Sequence, residues 1–210
     1  IKDCDFWLDE KGYIVEKGIK LFHSDVLKLK GKHNILNLLL ATAAARKIGL
    51  TGEKIKNSLK NYKQLPHRLE TIYTSRNFEV INDSKATNFD SSFSGIKSLD
   101  NEQLIIIGGR IKKGDSKLWS NIIMEKCKGV FLYGESSNEL KRILMKVGFQ
   151  EDIFIHDELK EVIPEAINFL KKIKSKILLF SPACSSFDQF KDYEQRGNSF
   201  KFFAKKYLLS

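Results

Sequence analysis

An α/β protein with a mostly parallel, doubly wound sheet is the fold class that this sequence predicts, and three observations carry the expectation. Leu104-Ile105-Ile106-Ile107, Val130-Phe131-Leu132-Tyr133 and Ile177-Leu178-Leu179-Phe180 are continuous apolar runs, as expected of strands buried on both faces; a half-solvated strand would alternate. Between such runs lie stretches with apolar residues at helical spacing, so strand and helix take turns along the chain. Gly108, Gly134 and Gly148 fall where one element should give way to the next. With 210 residues, the chain has room for one large or two small domains, each with its own core.

Residues 1–30 carry short apolar groups separated by turns: Phe6-Trp7-Leu8, Tyr13-Ile14-Val15 and Ile19-Lys20-Leu21-Phe22. They predict a meander whose sheet is incomplete within this chain. From Asn34 the period changes to helical, with Ile35, Leu38, Leu39 and Ala43 on one stripe, Asn34 as a candidate N-cap and Gly49 as the stop. Thr51 is placed to cap a second helix carrying Ile55, Leu59 and Tyr62, with Glu53 in its first turn. Leu65-Pro66 ends that element and sets a domain boundary, 1–65 before it and 66–210 after it.

Beyond the boundary, Thr71–Thr74 and Phe78–Ile81 predict paired short strands around Ser75-Arg76-Asn77. A helix from about Ser116 carries Leu118, Trp119, Ile122 and Ile123, and another carries Leu140, Ile143, Leu144 and Val147. Ile153-Phe154-Ile155 is a strand, 158–174 an amphipathic helix, and Phe200, Phe203, Ala204 and Tyr207 mark a last helix packed across the sheet. No internal repeat or low-complexity linker interrupts the pattern.

Composition narrows the function classes. Hydrophobic residues at 42% and charged residues at 30% describe a soluble globular chain, with no apolar run of membrane length and no export signal. The opening Ile1-Lys2-Asp3-Cys4-Asp5-Phe6 reads as the middle of a longer protein. Cys4, Cys127 and Cys184 are too few and too scattered for a disulfide framework, which favours a reducing cytoplasm. His23, His33, His67 and His156 show no ligand spacing, so no metal site is expected from this chain's own residues. The net charge of +10 is dispersed among acidic residues, which favours steering of small anions over a nucleic-acid patch.

In a doubly wound sheet, ligands gather outside the carboxyl ends of the strands, and three polar stretches fall there. In Asn82-Asp83-Ser84-Lys85-Ala86-Thr87-Asn88, Asp83 can accept from a hydroxyl or a metal-bound water, Lys85 can face a phosphate and Thr87 can orient a small polar substrate. The plain alternative is a polar turn with an Asx-type cap. Gly108–Asp115 lacks the spacing of a dinucleotide fingerprint or a phosphate loop, yet sets Lys112 at the mouth of a buried strand, where a carboxylate would need a partner. Ser181–Phe190 lacks a nucleophile elbow, so Ser185 and Ser186 are expected to donate hydrogen bonds, Cys184 to be a buried small hydrophobe, and Phe187 and Tyr193 to wall a pocket or the core. His67-Arg68 offers a stacking ring and a guanidinium just past the boundary, with an ion pair from Arg68 to Glu70 as the alternative.

These stretches, with His33-Asn34-Ile35-Leu36-Asn37, Leu65-Pro66-His67-Arg68 and Glu194-Gln195-Arg196-Gly197, resemble the carboxyl-terminal half of the Mur ligase family, ATP-dependent amino-acid ligases of peptidoglycan synthesis. Asn82–Asn88 and Ser181-Pro182-Ala183-Cys184 are similar to the D-glutamate-adding branch. The resemblance implies that residues 1–65 are the end of a central ATPase domain, whose phosphate loop and Mg2+ ligands lie outside this chain. It also implies that 66–210 are a Rossmann-like domain that brings D-glutamate to an acyl phosphate of UDP-N-acetylmuramoyl-L-alanine. Asn37, His67, Arg68, Asp83 and Lys85 would contact the nucleotide, with Lys85, Arg68 and Asp83 serving catalysis. Thr87, Lys112, Ser186, Phe187 and Tyr193 would bind D-glutamate. Ile111 departs from the small or acidic residue usual before the lysine, which leaves the choice between Lys112 and Lys113 open; Phe187 stands for a leucine and Tyr193 for a phenylalanine. The implied enzyme is a cytoplasmic monomer without nucleic-acid or membrane partners, and this chain alone would be inactive. The alternatives are another Mur or folylpolyglutamate-type ligase, an NAD-binding oxidoreductase lacking its glycine fingerprint, and a basic nucleic-acid-binding module.

Overall fold

A computed structural model describes residues 4–27, 32–62 and 64–209, with the backbone alone for Lys32 and His33. The chain divides into two compact units, Ile1–Gln64 and Leu65–Ser210.

In the first unit, β1 (Phe6–Leu8), β2 (Tyr13–Glu16) and β3 (Ile19–His23) form an antiparallel meander, with Trp7 opposite Val15 and Ile14 opposite Phe22. Two helices follow, α1 (Lys32–Lys47) and α2 (Gly52–Lys60). Helix α1 begins two residues before the expected start, so Asn34 lies inside its first turn and is not its N-cap. Thr51 caps α2 by accepting from the Lys54 N–H, and Glu53 lies in the first turn, where its charge suits the helix dipole. Helix α2 stops at Lys60 with Asn61 as its C-cap, which leaves Tyr62 outside the stripe and 48% exposed. Ile14, Phe22, Leu38 and Ile55 make the core of this unit. Helix α1 is apolar on more than its packed side: Leu36 and Leu40, four residues apart, are exposed.

In the second unit, six strands run in the order β4-β5-β9-β6-β7-β8: β4 (Glu70–Thr74), β5 (Glu79–Asn82), β6 (Gln103–Gly108), β7 (Cys127–Tyr133), β8 (Ile153–His156) and β9 (Ile177–Ala183). The edge strand β4 pairs antiparallel to β5 and the rest of the pairings are parallel. Helices α3 (Phe89–Lys97), α4 (Lys117–Lys126), α5 (Ser137–Lys146), α6 (Leu159–Ile173) and α7 (Tyr193–Leu208) supply the layers.

Strand alternation sorts these helices to two faces. Ile105, Ile107, Leu132 and Leu179 join Ile96, Trp119, Ile123, Leu140 and Leu144 of α3, α4 and α5. Leu104, Ile106, Phe131, Leu178 and Phe180 join Val162, Ile163, Ala166, Phe200 and Ala204 of α6 and α7. Every residue of β6 and β9 is buried, so the apolar runs are explained by helices on both sides. At roughly 1.5–3 kcal/mol for each fully buried large aliphatic side chain, these two clusters dominate the stability of the unit. Leu118 departs from its expected stripe: it is 64% exposed while its neighbour Trp119 is buried, because α4 turns only one side to the sheet.

The last strand to form in sequence, β9, is inserted between β5 and β6. The loops that leave β5, β9 and β6 at their carboxyl ends are therefore neighbours.

Candidate functional site

Asn82 ends β5, and its Oδ1 accepts from the Ser84 N–H at 3.1 Å. Asn88 caps α3 by accepting from the Ser91 N–H at 2.8 Å. The two asparagines thus satisfy the polar-turn reading of this stretch and leave Asp83, Lys85 and Thr87 between them for other work.

Asp83 is buried, with Oδ1 accepting from the Leu69 N–H at 3.2 Å and Oδ2 from the Ser181 hydroxyl at 2.9 Å. Behind it, Ser92 donates to the Ser181 carbonyl at 3.1 Å and accepts from the Trp119 indole N–H at 3.1 Å. Burial pushes the Asp83 carboxyl up to about 7, against the opposing pull of the Ser181 and Leu69 hydrogen bonds and the Arg68 charge. The pair Asp83–Ser181 joins the β5 loop to the carboxyl end of β9, and the bond from Leu69 to Asp83 fixes the backbone beside Arg68.

A cavity of about 530 Å³ is lined by His67, Arg68, Lys85, Tyr193, Glu194 and Lys201 among others. His67 has a left-handed backbone, φ 63°, and its ring is buried. The Asn82 amide donates to its Nδ1 at 2.9 Å, which places the proton of the neutral ring on Nε2. Burial, helped by the Lys201 charge, lowers the basicity of His67, so the ring is neutral near pH 7. Glu70 takes the His67 N–H at 3.0 Å and the Lys201 ammonium at 3.1 Å; burial raises its carboxyl, but these bonds outweigh burial and hold it below the usual range. The Lys85 ammonium lies 3.7 Å from the centre of the Tyr193 ring.

Arg196, in the first turn of α7, is wholly buried and joins two of the loops. It donates from Nε to the Ser84 hydroxyl at 3.0 Å, from Nη2 to the Ser84 carbonyl at 2.8 Å and from Nη1 to the Cys184 carbonyl at 2.9 Å. The third loop is joined by backbone: Arg110 and Ser185 exchange N–H to carbonyl bonds of 3.0 and 2.9 Å. Gly109 permits that approach, since its φ is +122° and a β-carbon there would stand 2.2 Å from the Ser185 carbonyl oxygen.

A second cavity, of about 400 Å³, is lined by Phe89, Arg110, Lys112, Lys113, Ser136 and Glu139 among others. Both lysines are exposed, while Arg110 is held by Glu135 at 2.9 Å. Ser186 is 2% exposed and accepts from the Phe190 N–H through its carbonyl, Phe187 is 62% exposed, and Thr87 is half-buried. Cys184 is buried and its thiol is pushed up to about 12 by burial, which removes it as a nucleophile. Among the described residues no cluster of three or more His, Cys, Asp and Glu side chains could hold a metal ion. No helix among them is long and apolar enough to cross a membrane.

No family model matches the chain. It is 54% identical over 198 residues to the UDP-N-acetylmuramoylalanine–D-glutamate ligase of Prochlorococcus marinus strain MIT 9312, which covers 94% of this chain and 42% of that protein. The ligase of the same name from Synechococcus elongatus is 36% identical over 200 residues, 95% of this chain and 43% of that one. The chain belongs to the Mur ligase family. It spans less than half the length of the curated relatives it matches. Solved structures share its fold: UDP-N-acetylmuramate–alanine ligase of Thermotoga maritima has a TM-score of 0.66 at 16% identity, covering 100% of this chain and 47% of that one. Mycobacterium tuberculosis folylpolyglutamate synthase complexed with ADP has a TM-score of 0.71 at 15% identity, covering 96% and 48%.

Within this Mur ligase chain, the residues expected at the site fall into distinct places. His67, Arg68, Lys85 and Tyr193 line the first cavity, with Asp83 buried and bonded to Leu69, the residue after Arg68; Lys112 lines the second; Asn37 is exposed on α1 of the other unit. Ser186 and Phe187 line neither of these two cavities. Reasoning from residue types passed over Asn82, and also Arg196, Lys201 and the Ser92–Ser181 pair, which have partners about 90 to 130 residues away in the chain. The only signal for Arg196 was the Mur ligase motif Glu194-Gln195-Arg196-Gly197.

Proposed function

We propose that this chain is the carboxyl-terminal part of an ATP-dependent ligase that joins D-glutamate to UDP-N-acetylmuramoyl-L-alanine. In this reading Ile1–Gln64 close a central ATPase domain and Leu65–Ser210 form the domain that brings the amino acid. Kinship supports it most: the chain is 54% identical to a protein bearing that ligase's name. The cationic first cavity and the three adjoining loops add physical support. So does the exposed apolar stripe of α1, since a helix apolar on both sides is normally covered on both.

In the proposed reaction the γ-phosphoryl group of ATP passes to the carboxylate of UDP-N-acetylmuramoyl-L-alanine, giving ADP and an acyl phosphate. The amine of D-glutamate attacks the acyl carbon, the tetrahedral intermediate collapses, and phosphate leaves as the amide forms. The chain's own task is to neutralise crowded phosphate charge and to hold two anionic substrates in line. Lys85 and Arg68 supply positive charge to the phosphates, with Asp83 keeping the Arg68–Leu69 corner in place. His67 contributes a neutral ring to the wall of the first cavity. Lys112, with Lys113 beside it, pairs with a D-glutamate carboxylate, while Thr87, Ser186 and Phe187 are the remaining contacts proposed for that amino acid. The described residues do not fit a magnesium ion, so any such ion would be held by groups outside them.

Two experiments test the reading. In the full-length protein, Lys112→Ala should raise the KM for D-glutamate far more than that for ATP, and equal effects on both would count against the assignment. The isolated 210-residue chain should release no phosphate in response to D-glutamate, because the phosphate loop of the ATPase domain is not among its residues. Turnover by the isolated chain would contradict the proposed division of labour.

A further inference from the structure

Lys85 is fixed at both ends. Its backbone N–H donates to the His67 carbonyl at 3.0 Å, and its ammonium rests 3.7 Å from the centre of the Tyr193 ring. The same loop is fastened to the backbone of that tyrosine, since the Ser84 hydroxyl donates to the Tyr193 carbonyl at 2.8 Å. The ring is steadied in turn: His67 meets it edge-on with centroids 6.3 Å apart, and its hydroxyl donates to Glu194 at 2.9 Å. None of the ion pairs among the described residues involves Lys85. A carboxylate holding this ammonium would cancel the charge that a phosphate needs, whereas an aromatic face holds the cation and leaves its charge available.

We propose that Tyr193 is the positioning residue for Lys85, its ring presenting the ammonium to the cavity that the phosphates of a nucleotide would enter. The inference rests on the nucleotide role given to Lys85 above and moves the Tyr193 side chain from the amino-acid contacts to the nucleotide side. Placement agrees: Tyr193 shares its cavity with His67, Arg68 and Lys85, while Lys112 lines the other one.

The test uses the full-length protein and a double-mutant cycle read by ATP dissociation constants and by KM for ATP and D-glutamate. Tyr193→Leu should weaken ATP roughly five- to tenfold, the range expected for a partly desolvated cation–π contact, with D-glutamate changed less than about twofold. Tyr193→Phe keeps the ring and should match the parent within about twofold. On a Lys85→Met background, Tyr193→Leu should add nothing to the ATP defect. Multiplying effects in the double variant, a loss confined to D-glutamate, or equal loss in the Phe and Leu variants with a lowered Tm would each overturn the assignment. A parent enzyme with no D-glutamate-dependent turnover would defeat the ligase reading instead, and the ATP dissociation constants would still decide this one.

Discussion

Asp83 was legible in the sequence as an acid at a strand end, but not its state, because no local pattern reveals that Ser181, almost a hundred residues later, would bury and bond it. Its carboxyl sits at about 7 when folded, against 3.8 for an exposed aspartate. The folded chain therefore keeps a proton that the unfolded chain gives up between these values, and the stability contributed by that proton is lost as pH rises through about 7. Asp83→Asn removes this dependence. Denaturant unfolding should show the parent losing stability relative to the variant between about pH 4 and about pH 7, and a difference flat across that range would contradict the burial argument. Arg196 was less legible still, since a lone arginine at a helix start reads as solvated. With three acceptors tied to its guanidinium, Arg196→Ala should cost on the order of 3 kcal/mol or more, read from denaturant midpoints. Arg196→Lys should restore less than half of that, because one ammonium does not span three acceptors on two loops.

Strands and helices of the second unit were largely readable, because residues buried on both faces of a sheet are mostly apolar, as Leu104–Ile107 of β6 and Ile177–Phe180 of β9 are. Their lateral order was not. Nothing in Ile177–Ala183 says that this strand enters between β5 and β6, yet that insertion makes the 82–88, 108–115 and 181–189 loops neighbours. Helix limits were read less well where polar residues decide them, as at Asn34, which lies within α1, and at Tyr62, which lies beyond α2. The glycines that let elements approach were visible as letters only. Gly197 of α7 faces the His67 ring so closely that a β-carbon would stand 2.2 Å from its Nδ1. Gly197→Ala should therefore displace His67, break its bond to Asn82 and destabilise the unit by roughly 1–3 kcal/mol, as overpacking does. An unchanged midpoint, with the histidine resonances unmoved in NMR spectra, would show that α7 shifts to make room.

Leu65-Pro66 led to an expected boundary after residue 65, and the two compact units meet between Gln64 and Leu65 in the chain. Each unit has its own core, so heating is expected to separate two transitions, with the larger assigned to Leu65–Ser210. Exposed Leu36 and Leu40 on α1 belong to the smaller unit. Replacing both by glutamate should raise the solubility of the isolated chain and leave the larger transition in place. The proposed ligase activity is tested most directly by the amino acid to which the full-length protein responds. Phosphate release by the full-length protein, given ATP and UDP-N-acetylmuramoyl-L-alanine, should rise on adding D-glutamate and stay at background with L-glutamate or L-alanine. Release that ignores D-glutamate, or that answers equally to the other amino acids, would contradict it.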